Sequence, residues 1–205
     1  MDTFPYQVAI LRNFNISDLS PILNPPSFTE LAARGGFRTE SYDVRTEDGY
    51  ILTLYRIRGA RPLPVLLLHG LMDSADTWIV RGEASLVAAL AHAGHDVWLA
   101  NVRGSRYSRR HVTLDPVVDD DFWNFSFDEH GLLDLPATVD TVLAETGGST
   151  IFFVLLSAIP ESATSSTTEM RSLAPTSSTT GIVTRDNSNS GGTASPYTST
   201  FRAGP

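Results

Sequence analysis

Two apolar runs in this chain end in residues that can do chemistry. Residues 64–71 (PVLLLHGL) read as a buried strand running into a turn at His69-Gly70, which offers an imidazole. Residues 151–154 (IFFV) continue through Leu155-Leu156 to Ser157, whose hydroxyl is a nucleophile only with a base beside it. Four arginines, Arg103, Arg106, Arg109 and Arg110, present an anion-binding chemistry. The carboxylates of Asp115 and Asp119-Asp120-Asp121 follow closely, however, and the combination reads as a solvated, charge-balanced loop. Consecutive carboxylates point in different directions and make a poor cation cage. With no cysteine in the chain there is neither a thiolate nucleophile nor a thiolate metal ligand. No metal and no cofactor are expected. His92, His95, His111 and His130 read as surface or capping residues, and Phe122, Trp123, Phe125 and Phe127 as an aromatic lock between loop and sheet.

The elements that must hold these groups are visible as patterns. Residues 38–44 and 50–58 flank Thr46-Glu47-Asp48-Gly49, and Asp-Gly between two strand-like runs predicts a hairpin. Residues 65–69 are apolar on both faces, as a parallel strand covered by helices on each side must be. A short helix over 86–93 stops at Gly94, and 96–100 (DVWLA) is the next strand. A longer helix is predicted over 131–145, with Pro136 in its first turn and Asp134 as its cap. Residues 151–154 form a third buried strand. Hairpin, then strand, helix, strand, helix, strand is the order of an α/β fold with a mostly parallel sheet.

Composition bounds the rest. The 205 residues carry a formal charge of −8, which argues against nucleic acid or an anionic membrane surface as a partner. No apolar run reaches the ~18 residues of a membrane-spanning helix. The first 20 residues do not read as a signal peptide. From 161 to 200, Ser and Thr fill 20 of 40 positions. So little apolar surface does not offset the entropy of ordering a chain, and 157–205 is expected to be a disordered tail. The division is then a leader over 1–27, a folded region over 28–156 and the tail. Asn15-Ile16-Ser17 and Asn124-Phe125-Ser126 are glycosylation sequons, meaningful only in the secretory pathway.

Several motifs in one register carry a family resemblance. YDVRTEDGYILTLYRIR (42–58), VLLLHGLMDSADTW (65–78), LAHAGHDVWLANVRGSRYSRRHV (90–112) and FWNFSFDEHGLLDLPATVDTVLAET (122–146) resemble the acid lipases, the α/β-hydrolase group of gastric, lysosomal and insect digestive lipases. The resemblance covers about residues 28–154. It implies a partial α/β-hydrolase, the N-terminal half of the sheet with its flanking helices. It implies lipid esters as substrates, and a family compartment, secreted or lysosomal, for which this chain shows no signal. It assigns the first oxyanion-hole donor to the Leu71 N–H, close backbone approach to Gly70, and turn-shaping to His69. The nucleophile register falls on Ser157. There Leu155-Leu156-Ser157-Ala158-Ile159 replaces the glycine-flanked elbow of the family, and Pro160 follows. The fold's triad runs Ser, then Asp or Glu, then His. All five histidines precede Ser157, so the triad Asp and His are absent from the expected places. The chain reads as truncated before its triad and is expected to be catalytically incompetent as written. A non-catalytic lipid- or protein-binding fragment is the alternative. Without further strands, residues 151–154 become an open sheet edge that invites self-association.

Overall fold

The computed structural model describes residues 25–156, 178–185 and 197–203. Asn15 and Ser157 lie outside the described residues, as does nearly all of the expected leader. Ordered structure begins with helix α1 (Phe28–Arg34). Its start is fixed by a capping box: Ser27 Oγ accepts from the Glu30 N–H while the Glu30 carboxylate accepts from the Ser27 N–H. Strands β1 (Thr39–Arg45) and β2 (Tyr50–Ile57) form the predicted hairpin, paired from Thr39↔Ile57 to Arg45↔Ile51. Gly49 takes φ 99° in its turn, and a Cβ there would stand 2.7 Å from Val112.

Strand β3 (Val65–Leu68) leads through two 3₁₀ turns to helix α2 (Leu86–His92) and strand β4 (Val97–Ala100). A two-residue strand β5 (Arg110–His111) pairs with β2. Helix α3 (Phe127–Glu129), capped by Ser126 and Glu129, runs through a π-turn (His130–Asp134) into helix α4 (Leu135–Thr146). Pro136 does lie in the first turn of α4, but Asp134 is not its cap: it has helical φ and ψ and makes no capping bond. The helix continues upstream of Asp134, whose carboxylate is engaged elsewhere.

The sheet runs β1-β2-β4-β3-β6-β7-β8, where β6 is Thr150–Leu156, β7 Ser178–Arg185 and β8 Tyr197–Ala203. Strands β3, β4 and β6 are parallel. Side chains alternate across the pleat, so Val65 and Leu67 join the core under α1 and α2, while Leu66 joins Trp98, Ile151 and Phe153 under α4. Both faces are therefore covered, which is why these strands read as unbroken apolar runs.

Two expectations are corrected here. The edge of β6 is not open: β7 pairs with it in antiparallel register from Thr150↔Thr184 to Leu156↔Ser178, and β8 pairs with β7. Over 178–185 and 197–203 the chain forms strands where composition pointed to disorder. Backbone hydrogen bonds, which composition does not report, supply the pairing. The rest of the expected tail lies outside the described residues. No described helix is long and apolar enough to cross a membrane.

Candidate active site

The turn after β3 and the loop after β4 leave the same end of the sheet, where open α/β sheets place their ligands. Between them lies a cleft of about 480 Å³. One wall is His69 and Leu71 to Ser74, a second is Val102 to Arg106 with Arg109, and the third is Trp123, Phe125 and His130. Strand β6 ends at this same end, since it runs parallel to β3 with Leu155 opposite Leu68.

His69 is buried and both of its ring nitrogens are used. The Val102 N–H donates to Nε2 at 3.3 Å, which leaves the proton on Nδ1, 2.8 Å from the Gly70 carbonyl oxygen. Burial holds its pKa below the ordinary imidazole value. The ring is a strut of the turn and has no nitrogen left for a substrate proton. Asn101 braces the same turn: its Oδ1 accepts from the Ala75 N–H and its Nδ2 donates to the Thr53 carbonyl, each at 2.9 Å. On this frame Leu71 and Met72 project outward, 57% and 98% exposed. Met72 adopts φ 59°, left-handed for a residue with a side chain, a conformation that persists only where the surroundings impose it. Among the described residues the Leu71 N–H has no acceptor.

Arg106, Arg109 and Arg110 are exposed, as a solvated loop requires, but Arg103 departs from that expectation. Arg103 is 2% exposed. Its Nε and backbone N–H donate to the two oxygens of Asp134 at 2.8 and 2.9 Å, and its terminal nitrogens donate to Asp48. The guanidinium also lies over the Tyr50 ring, 4.0 Å from its centroid. Burial alone would pull this guanidinium down in pKa; Asp48 and Asp134 outweigh it and hold it above the ordinary arginine value. Arg106 binds Asp76 and the carbonyls of Pro25 and Pro26, and Arg110 binds Asp43. None of these partners is among Asp115 and Asp119–Asp121. They lie 30 to 81 positions away, out of reach of local charge patterning.

Of the four aromatic residues expected to lock loop to sheet, Phe122 and Phe125 do so against Tyr50, whose hydroxyl donates to the Phe122 carbonyl. Trp123 and Phe127 face outward instead. His111 caps its loop as expected, with Nε2 on the Asp48 carbonyl and Nδ1 accepting from the N–H groups of Thr113 and Leu114. His92 pairs with Glu83 on the surface. His130 is the exception: it lines the cleft, and its buried Nε2 has no partner among the described residues. No group of three metal-ligating side chains occurs among the described residues.

Comparison with known proteins places the same residues in a wider setting. Residues 28–82 match a family model described as a partial alpha/beta-hydrolase lipase region, and 64–155 match the alpha/beta hydrolase fold. The chain is 47% identical over 146 residues to Lipase 1 of Drosophila melanogaster, covering 65% of this chain and 33% of that protein. It is 43% identical over 153 residues to human lysosomal acid lipase/cholesteryl ester hydrolase, covering 65% and 38%. It is 40% identical over 175 residues to lipase member M of Mus musculus, covering 73% and 41%. The chain thus spans well under half the length of the curated relatives it matches.

Proposed function

We propose that this chain, whose residues 28–155 belong to the N-terminal half of the acid lipase family of α/β-hydrolases, supplies the acyl-oxygen-binding half of a lipid ester hydrolase site. The observation that carries the reading is the Leu71 N–H, without an acceptor among the described residues, on a braced turn at the mouth of an open cleft. In ester hydrolysis a serine oxygen attacks the acyl carbon and negative charge gathers on the carbonyl oxygen. A fixed N–H aimed at that charge stabilises the transition state more than the ground state. Leu71 is the first such donor, and Gly70 keeps the turn free of a side chain.

The serine in register is Ser157, and within these 205 residues no histidine stands after His130. Of the preceding ones, His69 and His111 have both ring nitrogens committed. The 205 residues alone therefore bind a lipid ester without turning it over; turnover by a Ser-His-Asp mechanism needs a glycine-flanked serine, an acid and a histidine joined to this half. Two assays with 4-methylumbelliferyl oleate test this. The 205-residue chain is expected to match the buffer blank, and hydrolysis above it overturns the incompetence. Residues 25–154 grafted onto the remaining C-terminal part of human lysosomal acid lipase are expected to hydrolyse the ester. In that graft Leu71→Pro, which deletes the N–H, is expected to lower kcat by about 10²–10³. A loss below tenfold in a variant that melts like its parent refutes the role of Leu71.

A further inference from the structure

The turn that carries the Leu71 N–H is not held from within. Among the described residues, the N–H groups of Gly70, Leu71, Met72 and Asp73 make no hydrogen bond of normal geometry, and Met72 keeps a φ of 59°. Such a segment holds one shape only where its ends are fixed. His69 fixes the front end through Val102, and Asn101 fixes Ala75 behind it. Neither spans to residues 105–107 of the loop after β4. Asp76 does. Its Oδ1 accepts from the Tyr107 hydroxyl at 2.7 Å, and its Oδ2 accepts from Arg106 Nη1 at 2.8 Å and from Ser74 Oγ at 3.1 Å. Ser74 ends the turn, and its own N–H donates to Asp73 at 2.8 Å. One carboxylate thus joins the rear of the turn to two residues of the opposite loop.

Both arms of this clamp are themselves held. The Tyr107 oxygen accepts from the Phe28 N–H at 2.8 Å, and its ring meets Tyr55 edge-on with centroids 5.3 Å apart. Burial and the Asp76 carboxylate keep the Tyr107 hydroxyl above the ordinary phenol pKa, so the proton that binds Asp76 stays in place. Arg106 also donates to the carbonyls of Pro25 and Pro26, at 2.6 and 3.2 Å. The Asp76 side chain is 18% exposed, so its charge-assisted bonds are little weakened by solvent. We propose that Asp76 is a positioning residue, which ties the turn after β3 to the loop after β4 and thereby fixes the direction of the Leu71 N–H. Asp76 does not line the cleft and acts through the turn alone. Its catalytic consequence rests on the reading of Leu71 given above.

Backbone ¹⁵N relaxation of the 205-residue chain tests the clamp with no substrate present. The order parameters of Leu71 and Met72 are expected near about 0.85 in the parent and below about 0.6 in Asp76→Ala, while Leu66 and Ile151 keep theirs. Tyr107→Phe, which leaves the Arg106 arm, is expected to give a smaller fall. Asp76→Asn keeps the shape of the side chain and an acceptor for Tyr107, and is expected to lie between the parent and Asp76→Ala. Turn residues already mobile in the parent, or a loss of order shared by Leu66 and Ile151, overturn the proposal. In the graft onto the C-terminal part of human lysosomal acid lipase, Asp76→Ala is expected to lower kcat about tenfold with KM within about twofold, because the ground-state ester does not draw on the donor. An unchanged kcat overturns the positioning role. A parent graft that hydrolyses nothing overturns the lipid reading alone, and the order parameters then decide the clamp.

Discussion

The strands on the two sides of β6 are stabilised in different ways. On the β3 side, most strand residues of the two core clusters are buried, and the charged groups that enter the interior are paired: Arg56 with Asp96, Arg103 with Asp48 and Asp134. On the β7–β8 side the pairing is just as regular, but Ser and Thr fill 7 of the 15 strand positions, and among the described side chains Val183 and Tyr197 are the ones that pack against the core. Hydrogen bonding is thus common to both halves and burial is not. Backbone bonds exchanged against water contribute little net free energy each, whereas apolar burial and satisfied interior charges decide which half resists unfolding.

The largest expected effect breaks the charge side of this contrast. Arg103→Met leaves Asp134 buried without its partner, and removing one member of a buried pair costs about 3–5 kcal/mol. Urea unfolding measures it; a loss under about 1 kcal/mol means that Arg103 is not what ties the first half together. Burial is tested by two isoleucines on adjoining strands. Ile151 in β6 is 0% exposed and Ile182 in β7 is 45% exposed. Ile151→Ala is expected to cost about 2–5 kcal/mol, and Ile182→Ala under about 1 kcal/mol. Equal costs place β7 in the same cooperative core and erase the distinction.

The smallest expected effect is one of pH, and it too belongs to the first half. Burial holds the imidazoles of His69 and His130 below the ordinary value of 6.5 despite the nearby carboxylates of Asp73 and Asp134. Below pH 6.5 the unfolded chain takes up these protons while the folded chain resists them until the pH falls further. In that window the unfolded state binds more protons, so stability rises with pH. The contribution is complete above pH 6.5 and is lost as pH falls through the folded values. Urea midpoints are expected to drop between pH 7 and pH 5.5, with a shallower drop in His130→Gln. A flat profile over that range contradicts neutral burial of the two rings.

Much of the fold was legible because it rests on local signals. Asp48-Gly49 marks the hairpin, unbroken apolar runs mark β3, β4 and β6, and Pro136 falls where a helix tolerates it. The turn of Gly70 and Leu71 was legible only through the family resemblance. Arg103 was misread because its partners stand 55 and 31 positions away, while the aspartates nearest in sequence bind elsewhere or not at all. Strands β7 and β8 escaped notice because their pairing depends on an available edge at β6, which side-chain composition does not encode. The helix predicted over 131–145 misses only the short first turn, α3, that precedes the π-turn at His130–Asp134.

The triple attachment of Arg103 also sets an order of events during synthesis. The β1–β2 hairpin closes within a few residues and needs nothing downstream. The loop carrying Arg103, Ser105 and Arg109 gains its last anchor only when Asp134 has left the ribosome and folded back across 31 positions. A nascent chain halted before α4 has its hairpin and the turn after β3, but Arg103 lacks its Asp134 contacts. The cleft is therefore completed well after the hairpin, and a stop before residue 134 leaves one of its walls without the buried carboxylate that fixes it.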